Sequence, residues 1–193
     1  MDKPPSRRAR SHDRIVEAAS RAVRRSGYAG TGVAEIMNEA GLTHGGFYAH
    51  FESRDALLSE AVTRAGRDNA AFVERGVRRR GKGVSALRAL IEGYLTEAHV
   101  AAAETGCVIS ALSSEIPRQS SEVRDASAAC ARALIERVRR ALPGRGKPHD
   151  AQVIASAMVG ALQLARAVGD AKDARALLRS TRAALIDQYD TAA

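Results

Sequence analysis

One segment constrains the fold of this chain more than any other: residues 31–58, with the sequence TGVAEIMNEAGLTHGGFYAHFESRDALL. Apolar residues at helical spacing after Thr31, a good N-cap residue, predict a short helix that ends before Gly41. Thr43 then predicts the start of another short helix, over about residues 44–50. Two short helices joined by a turn that contains glycine are the arrangement of a helix-turn-helix, whose second helix enters the major groove of DNA.

The segments on either side complete a small helical head. Apolar residues recur at helical spacing before Gly27, which is expected to end the first helix. Ser53 predicts the N-cap of a fourth helix. We expect Ile36 and Phe47 to pack the two short helices onto the first and the fourth.

This segment resembles the DNA-binding signature of the TetR (tetracycline-repressor) family of transcription regulators. Ten residues stand at the family's expected relative places: Thr31, Ile36, Ala40, Gly41, Thr43, Gly45, Tyr48, His50, Phe51 and Leu57. The resemblance implies two sets of DNA contacts: to phosphates from Thr31, Thr43, Tyr48 and His50, and to base edges near His44, Gly45 and Gly46. Arg54 stands where the family usually has lysine, and its helix terminus is implied to face the DNA backbone.

These residues also have interpretations that need no DNA. His50 is equally consistent with an ordinary surface histidine, and Tyr48 with a half-buried core residue. Thr31 and Thr43 are good helix caps whether or not they also contact phosphate.

The charge balance favours an anionic partner. The 193-residue chain has a formal net charge of +8, and its first 25 residues hold eight cations and three anions. A basic leader of this kind suits contact with DNA, RNA or a membrane surface, or serves as a solubilising tail. Together with the helix-turn-helix pattern, it indicates double-stranded DNA.

Composition predicts the all-α class, because only 4% of the residues are aromatic and alanine is abundant. We expect about nine helices in three parts: a basic disordered leader over residues 1–10, a three-helix helix-turn-helix head over 11–58 whose fourth helix links to about residue 80, and an effector-binding and dimerisation domain over 84–193. A break is expected at RRRGKG, residues 78–83. The predicted helices of the last domain cover about residues 85–103, 107–116, 120–142, 150–168 and 171–190.

The last two predicted helices are rich in alanine and leucine. Small residues allow close helix approach, and the pair resembles the dimerising helices of the TetR family, two from each subunit in a four-helix bundle. The same pattern is also typical of an internal core face. A homodimer would place two recognition helices at the spacing of successive major grooves.

Cys107 is the most specific candidate for a redox or effector site in the C-terminal part. Gly106-Cys107 is expected to open a helix, where the dipole lowers a thiol pKa and favours reaction with oxidants or electrophiles. The segment resembles a TetR subgroup that has GGFYAHF in the recognition helix and a G-C start to the sixth helix. The alternative is a buried cysteine that acts as a small hydrophobe. Other candidates for an effector pocket are polar residues in predicted core helices: Tyr94, Ser110, Ser114, Arg118 and Gln163.

Several classes of protein are excluded by what the sequence lacks. The chain has no apolar signal segment and no run near the roughly 20 apolar residues of a membrane span. Its two cysteines do not make a disulfide framework, so a cytoplasmic location is expected. Enzyme motifs are missing, and the five histidines lack metal-ligand spacing. We therefore expect no enzyme activity, no metal and no cofactor.

The sequence thus predicts a DNA-binding transcription regulator, associated with the nucleoid. By the family resemblance it is a homodimeric repressor, released from a palindromic operator by a small-molecule effector or by modification of Cys107. The alternative is a constitutive sequence-specific or nucleoid DNA-binding protein on the same fold. The two differ in the C-terminal domain, because a ligand switch needs a sizeable cavity and a constitutive binder does not.

Overall fold

The computed structural model describes residues 6–78, 83–144, 147 and 149–190. Nine α-helices and two 3-10 helices form in these ranges, which contain no strand. The α-helices are α1 (Arg7–Ser26), α2 (Val33–Glu39), α3 (Arg54–Arg78), α4 (Ala86–Tyr94), α5 (Glu97–Ala101), α6 (Val108–Leu112), α7 (Ser121–Ala141), α8 (Asp150–Ala167) and α9 (Ala171–Tyr189). The 3-10 helices span His44–Ala49 and Ile116–Arg118. The predicted all-α class is confirmed.

Helix α1 begins earlier than the sequence predicted. Ser6 is its N-cap, and the Ser6 hydroxyl accepts a hydrogen bond from a backbone N–H of the first turn. Arg8 donates to the Ala49 carbonyl at 2.8 Å, which ties this turn to the rest of the head. The predicted disordered leader over residues 1–10 is therefore wrong for the part that lies in α1, because a cap and a tertiary contact stabilise it. The remainder, residues 1–5, lies outside the described residues.

The head has one small core between α1, α2, the first 3-10 helix and the start of α3. Ile36 and Phe47 are both buried in it, as predicted. Gly27 ends α1, also as predicted. Gly41 adopts a φ of 65°, the left-handed conformation that closes the turn after α2 and that glycine adopts without a steric penalty. The predicted helix-turn-helix geometry thus follows from local sequence signals.

Helix α3 joins the head to the C-terminal helices without interruption. Its 25 residues pack against α1 on one side and against α4 and α7 on the other. Apolar residues fill the junction, among them Val23 of α1, Val62 of α3 and Val108 of α6. Residues 79–82, in the predicted break after α3, lie outside the described residues. The head is therefore in direct packing contact with the helices that follow.

The C-terminal core lies between α3, α4, α7, α8 and α9. Leu87, Ile91, Ile154, Met158 and Leu162 are fully buried there. Helices α7, α8 and α9 begin and end within about a residue of the predicted bounds. None of the helices in the described ranges combines the length and the apolar character needed to cross a bilayer.

The structure corrects the predicted helix over residues 85–103, which breaks before Thr96 into α4 and α5. The Thr96 hydroxyl caps α5 by accepting from the His99 N–H at 3.0 Å. The His99 ring donates through Nδ1 to the Tyr94 carbonyl at 2.7 Å. These side-chain bonds satisfy backbone groups at the break, so a continuous helix is not required. The predicted helix over residues 107–116 is likewise shorter, since only α6 and the start of the second 3-10 helix form there.

Candidate nucleic-acid interface and effector site

The recognition segment, residues 43–50, presents a surface with little side-chain bulk. Its middle part is a 3-10 helix, since Gly45 and Gly46 each lower α-helix propensity by about 1 kcal/mol relative to alanine. Thr43, His44 and Gly45 are exposed, and Gly46 is half-buried. No atom lies within 4 Å of a Cβ position at Gly45. This surface allows a base edge or a phosphate to approach the backbone closely.

Tyr48 projects from the recognition segment with 76% of its surface exposed. The ring of Phe47 packs edge-on against it, with 5.1 Å between the centroids. An open cleft beside Tyr48 is lined by Arg7, Arg8 and His50 among others. Because Arg8 donates to the Ala49 carbonyl, its positive charge is held at the end of the recognition segment. A cleft lined by a tyrosine and two arginines suits a DNA phosphate.

His50 is half-buried at the end of the recognition segment. Its Nδ1 is buried and has no hydrogen-bond partner among the described residues. Burial lowers the pKa of His50, and the nearby His12 and Arg8 lower it further. The lowered pKa favours the neutral imidazole, which has one N–H to donate.

Two members of the predicted DNA-binding set lie behind this surface. Thr31 is 2% exposed, and its hydroxyl donates to the Gly27 carbonyl at 2.6 Å. The predicted N-cap at Thr31 is wrong, because Gly32 holds that place and the Thr31 hydroxyl is engaged elsewhere. The Arg54 guanidinium donates to the carbonyls of Tyr28 and Thr31. These contacts fasten the α1–α2 loop onto α3, which fits a structural role for both side chains.

A cavity of about 310 Å³ lies between α3, α6 and α7. Its wall is mainly alkyl groups. The polar and sulfur-bearing residues that line it include Cys107, Cys130, Asn69, Arg67 and Arg137. Cavities of this size are at the lower end of the range that small-molecule sites occupy.

Cys107 lies directly before α6, as predicted, but is only 1% exposed. Its backbone N–H donates to Nε2 of His99 at 3.0 Å, and its carbonyl accepts from the Ser110 hydroxyl at 2.9 Å. Arg166 donates to the Ser110 hydroxyl at 3.1 Å. The Tyr94 hydroxyl is beside the thiol, and burial raises the pKa of Tyr94 well above its usual value. This burial fits the interpretation of Cys107 as a small hydrophobe better than that of an openly exposed thiol.

The structure brings some of the other predicted effector residues together and separates the rest. Tyr94 and Ser110 are buried in the cluster around Cys107. Ser114 and Arg118 are exposed, and Arg118 donates to the Ser114 carbonyl at 3.0 Å. Gln163 is half-buried on α8.

Asn69 is a cavity residue that the sequence analysis missed. It lies on α3 with 8% of its surface exposed, and its Oδ1 is buried without a hydrogen-bond partner in the described part of the chain. A signal was present, since Asn69 shares a helical stripe with the buried Ala65 and Val73, four residues before and after it. A polar residue on an apolar stripe marks a position where a partner is needed.

Both ends of α6 contact the head. Before α6, the buried Arg24 donates to the Gly106 carbonyl at 3.1 Å. After α6, the Glu115 carboxylate accepts from the Tyr28 N–H at 2.9 Å. Burial lowers the pKa of Arg24 to about 10, so its guanidinium remains charged at neutral pH. Helix α6, which lines the cavity, is therefore tied to the head at both of its ends.

The fold and the exposed recognition segment define the class, a helix-turn-helix protein with a helical second domain. Residues 15–61 match the family model described as bacterial regulatory proteins, tetR family. A segment of 49 residues, 25% of this chain, is 41% identical to the uncharacterized HTH-type transcriptional regulator YerO of Bacillus subtilis (strain 168). That segment spans 17% of the length of YerO.

Solved structures are similar to this chain over nearly its whole length. The reduced form of E. coli NemR has a TM-score of 0.76 at 22% identity, with 95% of this chain and 98% of NemR covered. A TetR transcriptional regulator from Legionella pneumophila has a TM-score of 0.74 at 17% identity, with 98% of this chain and 100% of that chain covered. These likenesses show the fold. Residues 15–61 thus match the tetR family model, and the fold over nearly the whole length is the one seen in the solved TetR-family regulators.

Proposed function

We propose that this chain is a homodimeric repressor that binds a palindromic operator through the recognition segment and is released by a small effector. The observation that carries the DNA-binding role is the exposure of Tyr48, 76%, on the recognition segment. The neighbouring aromatic residues Phe47 and Phe51 are buried in the head core. A tyrosine left outside that core, beside two arginines, supports contact with phosphate. Its site of action would be the chromosome in the cytoplasm.

Within the recognition segment, we assign two kinds of contact to DNA. Thr43, Tyr48 and His50 position the head on phosphates, with help from Arg7 and Arg8. His44, Gly45 and Gly46 meet base edges. Thr31 and Arg54 act from behind by holding the α1–α2 loop. Phosphate contacts supply affinity for any sequence, and base contacts supply the preference for one.

The outer face of α8 supports a homodimer. Val153, Leu164 and Val168 are 47%, 56% and 44% exposed, although they are apolar. Gly160 shares their face by helical spacing, and no atom lies within 4 Å of a Cβ position there. A second copy of the chain would cover this stripe and allow close approach at the glycine. Pairing would also give the two recognition segments needed for a two-fold symmetric operator.

The cavity favours a ligand switch over the alternative of a constitutive binder, which needs no such space. Val108 and Ile109 of α6 line the cavity, while contacts at both ends of α6 join it to the head. An effector that binds better when α6 is displaced would favour a conformation in which the distance between the two heads no longer matches successive major grooves of the operator. In this proposal the C-terminal domain, predicted over residues 84–193, binds the effector, and the head binds the DNA.

Modification of Cys107 is a second trigger within the same proposal. The thiol is buried but lines the cavity, so a reagent would reach it through that space. An added group there would push against α6, which begins at the next residue.

The test is a selection of genomic fragments by the purified protein, with and without a reducing agent and with Tyr48→Ala as a matched control. We expect one or a few palindromic sites that Tyr48→Ala does not recover. Sites lost on oxidation and regained on reduction would support Cys107 as a trigger. Fragments with no shared sequence would refute the specific repressor and support the nucleoid alternative.

A further inference from the structure

We propose that the cavity between α3, α6 and α7 binds a small amphipathic acid. The ligand would have a group that donates a hydrogen bond to Asn69, an apolar body, and an anionic group beside Arg67. This inference rests on the proposed function, since it names the chemical class of the effector at that site.

Asn69 defines the polar inner contact. The residue is 8% exposed, its Oδ1 is buried, and no described residue donates to that oxygen. Buried acceptors in folded proteins nearly always have a donor, because an unmade hydrogen bond lowers stability. Ala65 and Val73, its neighbours on the stripe, have no side-chain donor to offer. A ligand with an O–H or N–H group supplies the missing partner.

The remaining wall selects an apolar body. It consists mainly of alkyl side chains from α6 and α7, among them Val108, Ile109, Ala126 and Leu134. On α3, Gly66 leaves a notch that the Cys130 thiol fills, since a Cβ at Gly66 would lie 2.6 Å from Cys130 Sγ. Alkyl groups and a polarizable sulfur favour contact with a hydrocarbon surface.

The mouth of the cavity is positively charged. Arg67 is exposed there, and no carboxylate in the described ranges lies within ion-pairing distance of it. Arg137, on the facing helix, is partly compensated by Glu74 at 3.7 Å. An anionic group on the ligand would stay partly hydrated at this mouth while it pairs with Arg67. Arginine suits a carboxylate because its donors match both oxygens.

Calorimetric titration of the full-length protein with three probes tests this assignment. The probes are 3-(4-hydroxyphenyl)propanoate, 3-phenylpropanoate without the hydroxyl, and 4-ethylphenol without the carboxylate. We expect the first to bind at least tenfold more tightly than either of the others. Equal affinity for all three, or no binding of any at millimolar concentration, would overturn the proposal.

Two variants locate the contacts. Asn69→Leu keeps the side-chain volume, and should abolish the difference between the hydroxylated and the unhydroxylated probe. Arg67→Gln should abolish the advantage of the carboxylate, whereas Arg124→Gln, at an exposed position of α7 away from the cavity, should leave all three affinities unchanged. If the Asn69→Leu variant still binds the hydroxylated probe more tightly than the unhydroxylated one, the hydroxyl contacts another residue and the assignment fails. The comparison of probes on the unmodified chain holds even if a variant does not fold.

Binding of the probes is measured without DNA, so its outcome is independent of the proposed repressor function. A chain that binds the hydroxylated acid but selects no operator would retain the cavity assignment and lose the proposed function. If the protein selects an operator but binds no probe, the proposed function is supported and the proposed ligand class is refuted.

Discussion

The carboxylate of Glu115 accepts a hydrogen bond from the backbone N–H of Tyr28 at 2.9 Å, across 87 residues of sequence. Tyr28 follows α1 in the head, and Glu115 follows α6 beside the cavity. At the other end of α6, Arg24 donates to Gly106. Helix α6 is therefore held to the head at both ends, and a displacement of α6 would act on α1 directly.

Glu115→Ala should destabilise the protein by about 1–2 kcal/mol, because the partly buried Tyr28 N–H loses its acceptor. Urea unfolding measures this change. Asp125→Ala, which removes an exposed carboxylate of α7, is the matched control and should have little effect. Equal stability of both variants and the unmodified protein would mean that the contact does not hold α6 to the head.

Tyr48→Phe should weaken operator binding about tenfold or more, since a hydrogen bond to a charged phosphate is lost from each head. The exposed hydroxyl has no structural role, so the thermal stability should not change. Fluorescence anisotropy with labelled operator measures the affinity, and Tyr189→Phe on α9 serves as the control. A loss of the same size with a scrambled duplex is expected, because phosphate contacts do not depend on sequence.

His44→Ala should change the preferred operator sequence rather than the general affinity for DNA. A side chain that reads a base edge contributes about 1–3 kcal/mol of discrimination at that position. Selection from a randomised duplex library measures the preference at each base pair. An unchanged consensus would remove His44 from the base-contacting set.

Lowering the pH from 7 to 5 should destabilise the protein by about 2 kcal/mol through His99 alone. Burial lowers the pKa of His99 from the usual 6.5 to about 4. Between these values the unfolded chain binds a proton and the folded chain does not, so stability falls as the pH falls through 6.5 towards 4. Urea unfolding at both pH values measures the change. His99→Gln, which does not titrate, should show a correspondingly smaller dependence, and an equal dependence would contradict this account of His99.

Leu164→Asp should convert the proposed dimer to a monomer, because it places a charge in the stripe on α8 that the second copy would cover. Since Leu164 is 56% exposed within one chain, the fold itself should persist. Light scattering after size exclusion measures the mass, and circular dichroism checks the helix content. Val84→Asp, at another exposed apolar position, should leave the mass unchanged. An unaltered mass for Leu164→Asp would place the dimer interface elsewhere.

The head was predictable from sequence because its requirements are local. Gly41 must take a left-handed conformation, and the apolar spacing before it fixes which face Ile36 buries. The first turn of α1 was not predictable, since the contact from Arg8 to Ala49 spans 41 residues. Thr31 has the right chemistry for an N-cap, but its hydroxyl bonds to Gly27 instead.

The C-terminal domain was predictable in its helices and less so in its site. The break before Thr96 depends on the His99 ring bonding back to Tyr94, which no apolar periodicity reveals. The sequence analysis missed Asn69, because its missing hydrogen-bond partner became visible only when α6 and α7 were in place around it. The DNA-binding residues and the effector site remain predictions until binding is measured.

The most direct measurement of the central claim is an anisotropy titration of the purified protein with the selected palindrome and with a scrambled duplex, at physiological salt. We predict that the palindrome binds at least ~10³-fold more tightly, with two chains per duplex. Equal affinity for the two duplexes would contradict a sequence-specific repressor.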